Sequence, residues 1–277
     1  MGRTLKACLA LFKIRAAEGL QYRLAGISSA TIGIFWALIE IVVLTVFFRY
    51  GSNTADSVNG ISLAQSVSYI WLAQVMVALN MGIDGDLLKK ITSGDIGVEL
   101  CRPLDLYWHW FARFAAGKTT HLVIRGGLEI LCGAALTVFG ARSLGLGLPY
   151  SGVHFLLFLV SFFCAYLFNT AFGMLMTAVR TGITWGDGPL NLIMVTGQIL
   201  SGVYLPLQLW PDFMQVFLRL QPFAGSLDTS ARLYVGSVSL ETGLLLIMIQ
   251  IIWSAAFIFL GKMIMKNKLK TIVVQGG

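Results

Sequence analysis

The chain has 277 residues, of which 57% are hydrophobic and only 12% charged, against roughly 25% charged in soluble domains. That balance excludes a soluble globular enzyme and leaves connecting segments too short for a second, soluble domain. The four cysteines, Cys8, Cys101, Cys132 and Cys164, are dispersed, which excludes a disulfide framework and a CxxC metal site.

The first segment, residues 1–26, interleaves Arg3, Lys6, Lys13, Arg15 and Arg23 with Leu5, Leu9, Phe12, Ile14 and Leu20 at roughly helical spacing. It reads as an interfacial amphipathic arm lying on the membrane surface; the plainer reading is a solvated basic arm. No small-residue cleavage site accompanies the first apolar run, so a removable leader is not expected. Six apolar stretches follow, each near the roughly 20 residues a bilayer crossing needs. They are placed at Ile27–Phe48, Leu63–Ile83, Thr119–Gly140, Val153–Thr177, Leu190–Leu209 and Thr242–Met263. With the N-terminus inside, the cytosolic segments hold fifteen of the twenty Lys and Arg and the outer segments four (Arg49, Arg142, Arg219, Arg232); Arg125 lies within a span. Both termini, including the tail Lys262, Lys266, Lys268 and Lys270, are therefore expected in the cytosol. The net charge of +7 is a topology signal rather than a sign of nucleic-acid binding.

Two connections stand apart. The insert 84–118 carries ten of the thirty-three charged residues. Asp84-Gly-Asp86 predicts a capped short helix with Leu87, Leu88 and Ile91 on one face and Lys89 and Lys90 elsewhere. Ser93-Gly94 would end it, and Pro103 suits the first turn of the next helix. From Leu104 on, Tyr107, Trp108, Trp110 and Phe111 make an aromatic cluster fit for the cytosolic interface. The second connection, 202–241, is apolar but broken by Gly202, Pro206 and Pro211, with helical pattern from Phe213 until Pro222. It reads as an outer re-entrant hairpin, which survives at membrane depth only where protein buries its backbone.

Chemistry-bearing motifs are sparse. Ala112-x4-Gly117-Lys118-Thr119 has Ala where a phosphate loop needs Gly, and it follows no strand, so it is read as a coincidence. His109, His121 and His154 lack metal-ligand spacing with any Cys or carboxylate and read as packing or interfacial residues. No nucleophile elbow, HExxH or paired-carboxylate pattern occurs. Charges inside the membrane say more. Glu40 sits in the first span, and Arg125 and Glu129 lie four apart in the third, within reach of each other. They either line a path or subunit seam or form an ion pair that fixes helix register. Asn169, Gln198 and Gln250 are weaker candidates for interhelical hydrogen bonds.

The run Gly94-Asp-Ile-Gly-Val-Glu-Leu-Cys-Arg-Pro-Leu-Asp-Leu-Tyr107 resembles the segment after the second span of ABC-type permeases, in the six-span type 2 export class. It is most similar to a bacterial branch associated with drug resistance. Ser201-Gly202, Pro206, Pro211 and Gln221-Pro222-Phe223 are similar to that class's outer hairpin before the last span. The resemblance implies an all-α polytopic membrane permease of one domain, residues 1–277, in a bacterial plasma membrane. It also implies a second permease subunit, identical or a sister chain, and two copies of a separate ABC ATPase that would carry the ATP and Mg; this chain holds no cofactor. An ATPase-coupling role is thereby carried over to Asp84–Ile96, hence to Asp84, Asp86, Leu87, Leu88, Ile91 and Ile96, and a gating role to Gly202–Pro222. The substrate does not carry over, since the class handles drugs, peptides, lipids and polysaccharides alike. Two other readings compete. A membrane-embedded lipid-modifying enzyme would need convergent polar residues at one interface. An ion-coupled transporter or channel often shows inverted repeats, and none is evident.

Overall fold

A computed structural model describes residues 2–21, 23–50, 57–58, 60–79, 81–93, 95–100, 105–181 and 188–269. Gly94, Cys101, Pro103, Leu104 and Lys270 lie outside the described residues. Twelve α-helices carry most of the described chain, and the hairpin β1 (Ser57–Val58) to β2 (Ile61–Ser62) is the one sheet among the described residues. The helices are α1 (Gly2–Gly19), α2 (Arg23–Tyr50), α3 (Leu63–Val77), α4 (Gly85–Thr92), α5 (Ile96–Leu100) and α6 (Leu106–His121). A π-turn, Leu122–Gly126, joins α6 to α7 (Gly127–Val138) without a break. There follow α8 (Gly152–Arg180), α9 (Gly188–Leu200), α10 (Asp212–Leu220), α11 (Asp228–Val235) and α12 (Leu240–Leu269).

Among the described residues, four helical stretches are long and apolar enough to cross a bilayer: Leu24–Tyr50, Leu106–Val138, Gly152–Arg180 and Leu240–Lys268. The expected second and fifth spans correspond to shorter apolar helices, Leu63–Val77 and Gly188–Leu200. The reasons are local. A reciprocal capping box fixes the start of α3: Gln65 N–H donates to Ser62 Oγ at 3.2 Å and Ser62 N–H to Gln65 Oε1 at 2.9 Å. The helix ends at Ala78, and residues 81–84 run without regular structure toward α4. Helix α9 stops at the turn containing Gly202, whose φ of +87° suits a residue without Cβ. The third span, conversely, begins well before Thr119, because α6 continues through the π-turn into α7.

Contacts fix the helix directions. Thr120 Oγ1 donates to Ala16 O of α1 at 3.3 Å, and along α2 Gly26, Ser29 and Gly33 meet Ile124, Arg125 and Glu129 in turn, so α2 ascends beside the π-turn and α7 in the same direction. Helix α3 runs the opposite way along them, with Trp71 Nε1 on Leu144 O at 2.8 Å at one end and Leu79 O on Lys118 at the other. Helices α8 and α12 are parallel to each other: Ser161 Oγ meets Gln250 Oε1 at 3.0 Å, and seven residues on along each helix the Phe168 and Phe257 rings lie 5.2 Å apart.

Four apolar clusters result among the described residues, two of them large. One, at the α11 end, gathers Tyr69, Leu72, Phe158, Leu233 and Leu246. The other, at the α4 end, gathers Leu87, Ile96, Trp110, Phe168, Phe172 and Phe257. The lateral faces stay apolar and open: Phe35, Val42 and Val46 on α2, and Ile251, Ile252 and Phe259 on α12, are exposed. That is expected where lipid replaces water as solvent.

Candidate functional site

The predicted coupling element begins at Asp84, which caps α4: its Oδ1 accepts from the amides of Asp86 at 3.0 Å and Leu87 at 3.2 Å. Its own N–H donates to Thr177 Oγ1 of α8 at 2.9 Å, so the start of α4 is pinned to a long helix. Burial pushes the Asp84 carboxyl above its ordinary range, against the pull of the capping amides. The apolar face of α4 turns inward at Leu87. Leu87 is 0% exposed and sits in the chain's own core, while Ile91 is half-buried against it. Ile96 of α5 is buried in the same cluster, and Leu88 is half-buried. Leu87 and Ile96 therefore face inward, while Leu88 and Ile91 keep part of their surface open. Apolar area near Tyr107, Trp110 and Met265 wins the inward pair, because burying it there costs nothing polar. The outward side is polar: Gly85, Asp86, Lys89, Ser93 and Asp95 are exposed.

A second fastening holds the insert. Glu99, buried, accepts from Trp110 Nε1 at 2.6 Å and pairs with Lys90. Arg113 stacks over the Trp110 ring at 4.7 Å and reaches Asp86 at 3.3 Å. Sequence reasoning placed Trp110 in an interfacial aromatic cluster. The structure buries it as the hub of this network, and only its one-turn spacing from Arg113 hinted at that. His109 packs edge-on to Trp110, and His154 lies between Ser151 and Val238 O. The Gly117-Lys118 segment is helical, and Lys118 bonds Leu79 O and lies 4.5 Å over the Phe114 ring.

The intramembrane charges do come together. Arg125 Nε donates to Glu129 Oε1 at 2.9 Å, and Glu129 is fully buried. Glu40 joins indirectly, through Gln74 of α3. Gln74 Nε2 donates to Glu40 Oε2 at 3.4 Å, and its Oε1 accepts from Arg125 Nη2 at 3.5 Å. Gln74 was not foreseen as a member, since a neutral amide in an apolar run carries no charge signal. Nor was the π-turn that holds Arg125, a feature often found at functional sites. Helix α2 reaches this cluster because position 33 is Gly: a Cβ there would collide with Glu129 Oε1 and lie 2.9 Å from Arg125 Nη2.

The segment 202–241 contains Gly202 in its left-handed turn and buried Pro206 ahead of a 3-10 turn, Leu207–Leu209. Pro211 precedes α10, and Pro222 opens a second 3-10 turn, Pro222–Ser226. All of α11 is buried. Most of its polar groups are matched, although Arg232 Nε has no hydrogen-bond partner among the described residues. Tyr69 OH donates to Asp228 Oδ1 at 2.9 Å, and Arg232 lies 3.6 Å from Asp228 Oδ2. Ser161 meets Ser230 at 2.8 Å, and Gln250 Nε2 donates to Gly225 O at 2.7 Å. Asn169 bonds Ser226 in both directions. Gln250 and Asn169 were foreseen as hydrogen-bonding residues. The buried Asp228–Arg232 pair was not, since Arg232 read as an outer-loop charge.

Two cavities flank Arg125. One, of about 650 Å³, lies between α1, the end of α3 and α6. The other, of about 250 Å³, lies between α2, α3, α9 and the Pro222–Ser226 turn. Val77 and Arg125 line both, so the two cavities adjoin at a basic residue.

No curated relative matches the chain. A family model described as ABC-2 family transporter protein matches residues 34–276, nearly the whole chain. The match spans α3 and α4, the Arg125–Glu129 pair with Glu40 and Gln74, and the buried α11 alike, and the chain accordingly belongs to the ABC-2 transporter family.

Proposed function

We propose that the chain is the transmembrane permease subunit of an ATP-driven exporter, carrying the translocation path and receiving force from a separate ABC ATPase. Family membership supports the permease role. The observation that carries the coupling role is the double fastening of α4. Asp84 ties its start to α8 through Thr177, Leu87 sinks into the bundle core, and the Lys90–Glu99–Trp110 network ties its end to α6. A short helix held this firmly moves with the spans it is tied to, so a push on its polar side is transmitted rather than absorbed. The docking surface is assigned to Asp86, Lys89, Ser93 and Asp95, not to the Leu87 face.

In this reading six segments cross the membrane, the short helices α3 and α9 included, and both termini are cytosolic. The common direction of α2 with α6 and α7, the reverse direction of α3, and the common direction of α8 with α12 support that alternation. Two permeases, identical or sister chains, would assemble with two ATPases in a bacterial plasma membrane. ATP binding would draw the ATPases together, α4 would shift the spans, and the buried α11 would re-seat as the outer side opens. The chain supplies no ATP chemistry of its own: Lys118, the one phosphate-loop-like lysine, is turned to Leu79 O inside a helix. The test is a charge reversal, Lys89→Glu with Asp95→Lys. The expected result is an inserted, folded permease that no longer stimulates or retains the ATPase; undiminished coupling would remove α4 from this role.

A further inference from the structure

The two cavities at Arg125 have an ordered chemistry. Arg113, Lys118, His121 and Arg125 all line the larger cavity from one continuous helix, α6 into the π-turn. At 1.5 Å rise per residue they form a basic ladder about 18 Å tall, from the α4 end to the level of the intramembrane cluster. Three carboxylates share that cavity, and each is already engaged. Glu18 bonds Arg15 at 2.9 Å, Asp86 pairs with Arg113 at 3.3 Å, and Asp84 caps α4. Glu129 holds Arg125 only through Nε, and it does not line the cavity. Arg125 Nη1 and Nη2 make long contacts, 3.3 and 3.5 Å, to the neutral oxygens of Ser29 and Gln74. A guanidinium has five donors, and its strongest partners are two-oxygen anions. Past Arg125 the lining changes character: Trp36, Met76, Met81, Val203 and Tyr204 dominate the smaller cavity. Size fits as well, since ligand cavities run to about 300–1,000 Å³.

We infer that these adjoining cavities bind an anionic amphiphile, its phosphate or carboxylate head against His121 and Arg125 and its apolar body in the cavity beside Trp36 and Tyr204. The inference rests on the permease reading, because the cavities then open along the path that cargo takes. Either a transported molecule or a resident bilayer lipid supplies this chemistry.

Gly117 provides the test. It lines the charged cavity, and a Cβ placed on it meets nothing within 4 Å. Gly117→Asp therefore adds a negative charge beside the ladder while leaving every basic residue in place, and Gly117→Asn adds the same bulk without the charge. The full-length chain in complex with its ATPase is placed in lipid nanodiscs doped with phosphatidylglycerol carrying a diazirine on its acyl chain. A parallel sample carries phosphatidylcholine with the same chain. After illumination, the label is mapped by mass spectrometry on the segments around Ile32–Trp36 and Ser201–Tyr204. Phosphatidylglycerol should label these segments about tenfold more than phosphatidylcholine, and Gly117→Asp about tenfold less than Gly117→Asn. Equal labelling by the two lipids, or by the two variants, overturns the inference. Adding ATP assigns the source: loss of cavity label marks cargo, and persistence marks a resident lipid, both upholding the site. The labelling is read without nucleotide, so it fails or succeeds with the cavities alone, whereas ATP turnover by the same complex reports separately on the permease reading.

Discussion

Removing Arg125 should destabilise the protein chiefly by what it strands. Glu129 is 0% exposed, and Arg125 Nε is its one hydrogen-bonded partner, at 2.9 Å, among the described residues; Glu129 Oε2 has none. In Arg125→Ala the carboxylate would remain in low dielectric with no countercharge, a change that costs about 3–5 kcal/mol in buried pairs. At about 2–4 °C per kcal/mol for a domain of this size, the melting temperature should fall by on the order of 10 °C. Glu129→Gln on top of Arg125→Ala removes the stranded charge and should recover most of that loss. Glu40→Gln should recover little, because Glu40 meets Arg125 only through the Gln74 amide, over contacts of 3.4 and 3.5 Å. Thermal unfolding in detergent, followed with a thiol-reactive dye at the free thiols Cys132 and Cys164, reports each variant. A double-mutant cycle then separates the pairwise terms. Strictly additive effects of Arg125→Ala and Glu129→Gln would refute the reasoning and mean that both groups face water.

Three further outcomes follow from other parts of the molecule. Tyr69→Phe removes the hydroxyl that donates to buried Asp228 and should lower stability by about 1–3 kcal/mol, read as a melting-temperature drop; no drop would show that Tyr69 does not anchor α11. Leu87→Asp puts a carboxylate into the core at the α4 end and should reduce folded yield and thermal stability, whereas Lys89→Glu should leave melting within about 0.5 kcal/mol and impair only ATPase stimulation. Gly33→Ala drives a methyl into Glu129 Oε1 and should cost about 1–3 kcal/mol by overpacking, visible in the same melting assay; wild-type stability would show that α2 does not approach the cluster so closely.

Much of this arrangement was legible in the sequence because it rests on local rules. The Asp84 cap, the helix from Asp212 to Leu220 between two prolines, and the four-residue spacing of Arg125 and Glu129 each depend on neighbours in the chain. What was not legible depends on partners far away in sequence. The amphipathic pattern of α4 showed that Leu87 and Ile91 share a face, but not whether that face meets a partner or the permease's own Tyr107 and Met265. Hydropathy likewise ran past the end of α3, since Ala78 to Ile83 are apolar enough to extend a span but turn away at Ala78. Arg232 sat in a segment of outer-loop appearance. It is buried because Asp228, one turn earlier, supplies its partner, and Tyr69, on another helix, holds Asp228 in turn. Gln74 and the π-turn around Leu122–Gly126 left no trace in charge or periodicity.

The measurement closest to the central claim is ATP hydrolysis by the tagged full-length chain purified in mild detergent, alone and with its co-purifying ABC ATPase, each before and after Lys89→Glu with Asp95→Lys. The account predicts no hydrolysis by the chain alone. It predicts activity in the complex, and loss of that complex in the charge-reversed variant while the permease itself stays folded. Hydrolysis by the chain alone, or a complex indifferent to the reversal, would contradict it.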